Sequence, residues 1–332
     1  MNNKTKSKSI PIYDKVASTT LLDGDYITCI GSANFDYTFR LDSPLVMGTS
    51  NPVRSAISLG GVIRNVAENL ARLDHKVLLM TVLGSDHAGL EILRRSRRLM
   101  AVFATDILKG YATGGYYAAI GSDGNMNVGF ADMAINHNMN HNWIIKHQPH
   151  LEQSSWLIAD MNVTKDALET LIAYAGKTDK KLAIIGVSGP KMKQMPDDLH
   201  GVEIVICNLD ESQSYFHTEI TDLKTIVELW IQRGVRQVIV TKGKDGAMYY
   251  DGIAINHQKA YVVPHDKVVD VTGAGDSFSA AVLHGLIRGE PLKTSIKYGA
   301  ISSSLTIQSP YAVNPKLSMN LIKKELKKYE DL

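Results

Sequence analysis

Between residues 27 and 241 the chain alternates short, β-branched apolar runs with longer stretches whose apolar residues recur at helical spacing. This alternation constrains the fold more than any other feature. Residues 27–31, Ile27-Thr28-Cys29-Ile30-Gly31, read as a buried first strand. Residues 58–73 read as a helix, because Val62, Val66, Leu70 and Leu73 fall on one stripe. Asp74-His75 ends it, since aspartate tolerates the left-handed conformation a helix stop requires. Strand patterns follow at 77–82, 156–159, 182–187, 202–207 and 237–241, with helical patterns at 165–175 and 223–233. Such alternation predicts an α/β fold, a mostly parallel sheet covered by helices on both faces.

Two stretches depart from it. Residues 35–45 are extended and mixed. Residues 116–121 and 125–130 flank Ser122-Asp123-Gly124, a favourable hairpin turn. Together they predict a small sheet over the carboxyl edge of the main one, in the position of a lid. The expected organisation is one domain over 26–332 with lid segments near 35–47 and 111–133. A disordered tail over 1–25 precedes it, carrying Lys4, Lys6 and Lys8 among small polar residues.

Composition bounds the function. A hydrophobic share of 44% against 21% charged residues is that of a soluble globular chain. A net charge of +2 gives no reason to expect a nucleic-acid partner. No apolar run is long enough for a membrane span, and no signal peptide is recognisable. Cys29 and Cys207 sit in strand-like segments and read as reduced core residues of a cytoplasmic protein.

The most specific motif is Asp270-Val271-Thr272-Gly273-Ala274-Gly275-Asp276-Ser277-Phe278. It follows the β-branched Tyr261-Val262-Val263, read as a strand, and opens a helical stretch over 277–287. A glycine turn at a helix start gathers backbone N–H groups around an anion. Asp276 at the mouth of such a hole would be repelled by a resting phosphate. It is explained if it takes a proton from a hydroxyl attacking a phosphoryl group. A loop with Asp276 as helix N-cap is the plain alternative.

Other strand exits carry weaker signals. Gly60-Gly61, with Asn65 one turn on, would let a ligand approach backbone N–H groups. Asn34 and Asp36 follow the first strand, where a carboxylate can accept hydrogen bonds from vicinal sugar hydroxyls. Asn208 and Glu211 could share a hydrated Mg²⁺, and fit equally as a helix cap with its partner in the first turn. Thr241, Gly243 and Gly246 form a further strand exit suited to nucleotide contact, or a plain hairpin turn.

The order and spacing of Gly60-Gly61…Asn65, Asn208…Glu211 and Asp270–Asp276 resemble the ribokinase-like (PfkB) sugar and nucleoside kinases over roughly residues 26–325. Within that family, Gly48-Thr49-Ser50-Asn51-Pro52, residues 60–73 and Ala131-Asp132-Met133-Ala134-Ile135 are similar to pseudouridine kinases. The resemblance implies a three-layer sandwich with a β-sheet lid, and transfer of phosphate from ATP to the 5′-hydroxyl of a nucleoside. It implies Asp276 as base and Gly273, Ala274 and Gly275 as anion hole. It also implies Asn34, Asp36, Gly60, Gly61 and Asn65 as ribose ligands. Asn208, Thr241, Gly243, Gly246 and Thr272 would serve ATP, Asn208 and Glu211 would hold Mg²⁺ through water, and Asp270 would lie near K⁺. Thr49, Ser50 and Asn51 are the candidates for reading the base, and a homodimer through the lid is a further implication. Another ribonucleoside, or ribose, is the alternative acceptor.

Competing classes fit less well. Gly176-Lys177-Thr178 ends like a P-loop, but position 171 is Leu where that motif needs Gly. No strand–Gly-x-Gly-x-x-Gly–helix run lies near the start, against a dinucleotide-binding fold. A sugar sensor that had lost catalysis would be expected to lack the base or the glycine turn, and both are present.

Overall fold

The computed structural model describes residues 25–330, so the expected tail lies outside the described residues except for Asp25. The central sheet has eight strands, ordered Ile255–Gln258, Ala247–Tyr250, Gln237–Thr241, Ile204–Asn208, Lys181–Ile185, Ser154–Asp160, Tyr26–Ile30 and Val77–Met80. The last six are parallel, and the first two form an antiparallel hairpin at one edge. From Tyr26–Ile30 the chain builds outward to Val77–Met80, then returns to the other side at Ser154–Asp160. The topological switch therefore lies between Tyr26–Ile30 and Ser154–Asp160, where open α/β sheets form their ligand crevice.

Strand alternation divides the core in two. Ile30, Leu157, Ile184, Val205 and Val238 point to one face, under helices that include Lys165–Lys177 and Leu223–Gln232. Cys29, Ile158, Ile185, Ile206 and Ile239 point to the other, under Val62–Arg72 and Ala274–Ile287. Both cysteines are buried and free. No helix among the described residues is long and apolar enough to cross a membrane.

A second sheet of four strands stands apart, ordered Val53–Gly60, Asn34–Leu41, Gly115–Ile120 and Met126–Asp132. Its middle pair is parallel and its outer pairs antiparallel. Gly124, at φ 82°, makes the expected hairpin turn. Phe35 is buried in the main core, which anchors this sheet to the body.

The structure corrects three readings. Residues 58–60 belong to the strand Val53–Gly60, and the helix begins at Val62. The ladder pairs Asp36 with Ser58 and Asn34 with Gly60, and the helical stripe has no member before Val62. The run 77–82 breaks at Thr81 into Val77–Met80 and Val82–Gly84. Tyr261-Val262-Val263 is not a strand: the edge strand is Ile255–Gln258, and beyond it no ladder partner remains among the described residues. The helix stop at Asp74 is as expected, with φ at 65°.

Candidate active site

The helix Ala274–Ile287 is apolar on nearly all sides and buried from Ser277 to Gly285, packed between Val62–Arg72 and Leu292–Thr306. Its first turn is thereby fixed in place. Gly273 takes φ 78°, and a side chain there would collide with the carbonyl of Ala312. The Ala274 amide donates to the Val271 carbonyl (3.2 Å), and helical bonding starts with Ser277 to Gly273 (2.9 Å). Gly275 and Asp276 lie between, where an N–H has no acceptor one turn back. A side chain added at Gly275 would meet nothing within 4 Å, so this turn borders open space. The amides suited to an anion are thus those of Gly275 and Asp276, whereas that of Ala274 is engaged in the turn.

The Asp276 carboxylate accepts from Asn65 Nδ2 at 2.7 Å, joining the two packed helices. Burial pushes its carboxyl up to about 7, helped by the negative charges of Asp160 and Asp36 and opposed by the Asn65 hydrogen bond and the Arg64 charge. Asp36 accepts from Asn34 Nδ2 at 2.8 Å, and burial pushes it up to about 6 against that bond and the Arg64 charge. Asn34, Asp36, Asn65 and Asp276 are therefore brought together, although they come from a lid strand and two helices.

Gly60 and Gly61 each have a steric reason to lack a side chain. A side chain at Gly60 would collide with the Asp36 carboxylate; one at Gly61, at φ 95°, would collide with the Ser32 carbonyl. Since Gly61 has no side chain to cap the helix Val62–Arg72, the cap comes from elsewhere. Asp160 Oδ2 accepts from Ile63 N at 3.1 Å and Ser32 N at 3.3 Å. It also accepts from Asn162 Nδ2 at 3.0 Å, while Oδ1 takes Asn162 N at 2.9 Å. Asp160 is fully buried and burial pushes its carboxyl up, yet each of these partners donates, which suits the ionised form. Asp160 went unread in the sequence. Its signal was its place at the exit of a strand beside the switch point.

A cavity of about 420 Å³ opens beside the first turn of Ala274–Ile287. Thr241, Gly243 and Gly246 line it together with Ala274 and Gly275. Its apolar wall includes Val263, which the sequence pattern assigned to a strand and not to this site. Asn208 and Glu211 form a reciprocal capping box (Glu211 N to Asn208 Oδ1, 2.8 Å; Asn208 N to Glu211 Oε2, 2.9 Å). Burial pushes the Glu211 carboxyl up. Asp270 Oδ1 accepts from Thr272 N at 2.8 Å, which closes the loop before Gly273. Among the described residues no group of three or more metal-ligating side chains occurs. Thr49 and Ser50 are exposed and Asn51 half-buried, on the loop that joins the lid strands Asn34–Leu41 and Val53–Gly60. The Asn51 amide is spent there, on Val46 N (2.9 Å), Val46 O (2.8 Å) and Thr49 O (3.2 Å).

The sequence pattern of pfkB family carbohydrate kinases matches residues 25–319. A pseudouridine kinase of Escherichia coli (strain K12) is 27% identical over 300 residues, covering 89% of this chain and 94% of that protein. A guanosine-inosine kinase of Exiguobacterium acetylicum is 25% identical over 281 residues, 82% of this chain and 91% of that one. A solved ribokinase from Thermotoga maritima superposes with a TM-score of 0.77 at 19% identity, covering 91% of this chain and 99% of its own, so the fold is ribokinase-like. With the family pattern extending over both sheets and through the helix that carries Asp276, the chain belongs to the pfkB family of carbohydrate kinases.

Proposed function

We propose that this kinase transfers the γ-phosphoryl group of ATP to the 5′-hydroxyl of pseudouridine, giving pseudouridine 5′-phosphate and ADP. The observation that carries the reading is the position of Asp276. Its carboxylate faces Asn65 on the Asp36 side, and its helix turn borders the Thr241–Gly246 cavity on the other. A base must reach the attacking hydroxyl while the anion hole reaches the phosphate, and a residue at this position can serve both.

The nucleoside lies with its ribose hydroxyls on Asp36 and Asn65. Asp276 takes the proton of the 5′-hydroxyl as the O5′–P bond forms and the bond to the β-phosphate bridging oxygen breaks. The Gly275 and Asp276 amides offset the charge on the phosphoryl oxygens, a contribution of about 3 kcal/mol per donor in comparable holes. A carboxyl held near 7 suits a base working at neutral pH. Asn208 and Glu211 would hold a Mg²⁺ through water, and the ion would supply positive charge against that of the phosphates. A monovalent cation such as K⁺ belongs near Asp270. The small sheet acts as lid, with Thr49 and Ser50 left to read the base, and two copies meet through it.

Pseudouridine is favoured over other acceptors by the Escherichia coli relative, aligned over nearly the whole of both chains. The guanosine-inosine kinase likeness makes a purine ribonucleoside the alternative. Assaying ADP release with pseudouridine, uridine, inosine, guanosine and ribose decides between them. Pseudouridine should give the highest kcat/KM; a higher value with any other acceptor refutes this choice.

A further inference from the structure

Arg64 is buried, immediately precedes Asn65, and takes no part in the proposed contacts with nucleoside or nucleotide. Its guanidinium forks. Nη1 donates to Glu68 Oε2 at 2.7 Å, and Nη2 donates to Asn65 Oδ1 at 2.8 Å. Glu68 is held in turn by Arg72, with Nη2 to Oε1 at 2.7 Å and Nε to Oε1 at 3.1 Å. Asn65 then passes Nδ2 to Asp276 at 2.7 Å. The result is one chain of hydrogen bonds running Arg72, Glu68, Arg64, Asn65, Asp276.

The chemistry of the two neighbours removes the freedom of the Asn65 amide. A guanidinium can only donate and an ionised carboxylate can only accept, so the amide fits with its oxygen toward Arg64 and its nitrogen toward Asp276. A lysine in this place could not hold Asn65 and Glu68 in the same planar fork. An ion pair serving only the helix would not require burial, yet Arg64 is buried with its Nε lacking a hydrogen-bond partner. We propose that Arg64 is a positioning residue for the base: it locks the Asn65 amide in the orientation that donates to Asp276, and it stands as the positive charge beside that carboxylate. This rests on the reading of Asp276 as base.

The charged groups around Asp276 are Asp36 from the lid strand, Asp160 from the central strand and Arg64 from the neighbouring helix. The first two favour its protonated form and Arg64 favours the ionised one. Losing Arg64 therefore moves the acid limb of the rate profile to higher pH, because the base must be ionised to act.

The test is the pH dependence of kcat/KM for the full chain with ATP and pseudouridine, or with the acceptor the panel selects. Four proteins are compared: wild type, Asp276→Asn, Arg64→Met and Glu68→Gln. Arg64→Met should move the acid limb upward and lower kcat by about 10²-fold, the scale of a misplaced catalytic group, with KM for ATP unchanged. Glu68→Gln breaks the same ion pair but leaves Arg64 on Asn65, and should not move the limb upward. An unmoved limb in Arg64→Met, or an upward shift in both variants, overturns the role of Arg64. Should Arg64→Met fail to fold, Arg64→Lys replaces it: a smaller fall in kcat is expected, and wild-type kcat overturns the proposal. A limb that persists in Asp276→Asn overturns the base assignment itself, and Arg64's role with it.

Discussion

At the scale of single residues, Asp276 carries both the proposed chemistry and a cost. Replacing it with Asn keeps the shape and the Asn65 contact but removes the proton acceptor. Turnover should fall roughly 10²- to 10⁴-fold while ATP affinity, measured by calorimetry, stays near wild type. Stability should move the other way. The folded carboxyl lies near 7 against 3.8 for a free one, so the fold favours the protonated form. The stability this gives is full below 3.8 and lost as pH rises through about 7. Asp36 adds a loss of the same sign, ending near 6. The Asp276→Asn protein should therefore melt above wild type at about pH 8, and the gap should close toward pH 4; a gap independent of pH refutes the linkage. Asp276 and Asn65 were legible in the sequence because each lies in the first turn of a helix after a glycine, and Asp36 because it closely follows the first strand, although the structure sets it within the lid strand Asn34–Leu41. Asp160 was not, since an Asp ending a strand reads equally as a turn. Arg64 was not, since nothing in a helical stripe tells a buried arginine from an exposed one.

Helix starts are where glycine substitutions distinguish scaffold from chemistry. Gly61 sits at φ 95° against the Ser32 carbonyl, so Gly61→Ala should cost about 1–3 kcal/mol and lower the midpoint of thermal denaturation. Gly275 lies within a helix with open space where a side chain would go. Gly275→Ala should instead stabilise the fold, by about 0.4–1 kcal/mol, and yet depress kcat, because the methyl group enters the space proposed for the phosphoryl group. Unchanged kcat in that variant would remove the anion-hole assignment. Periodicity located most strands and helices of the body. It missed Val53–Gly60, whose residues are mostly exposed on both faces and so carry no clean alternation. It misread Tyr261-Val262-Val263, where β-branched residues line a cavity rather than a ladder.

For the whole molecule, the proposed function gives the small sheet the task of keeping water from the reaction. Gly115 and Asp132 are register partners, so the ends of the hairpin between them are already adjacent. Replacing 116–131 with a short glycine link should leave the body folded but open the transfer centre to solvent. ADP should then form in excess over phosphorylated nucleoside; a ratio still at unity would show that these strands do not shield the reaction. The Asn65–Asp276 contact has a further consequence: it spans 211 positions, and Asp160 reaches back 128 to Ser32. Closures this long are slow to form. During synthesis the chain must remain inert until Ala274–Ile287 has emerged, and in refolding, catalytic competence should return only with the last kinetic phase, after most secondary structure has been regained.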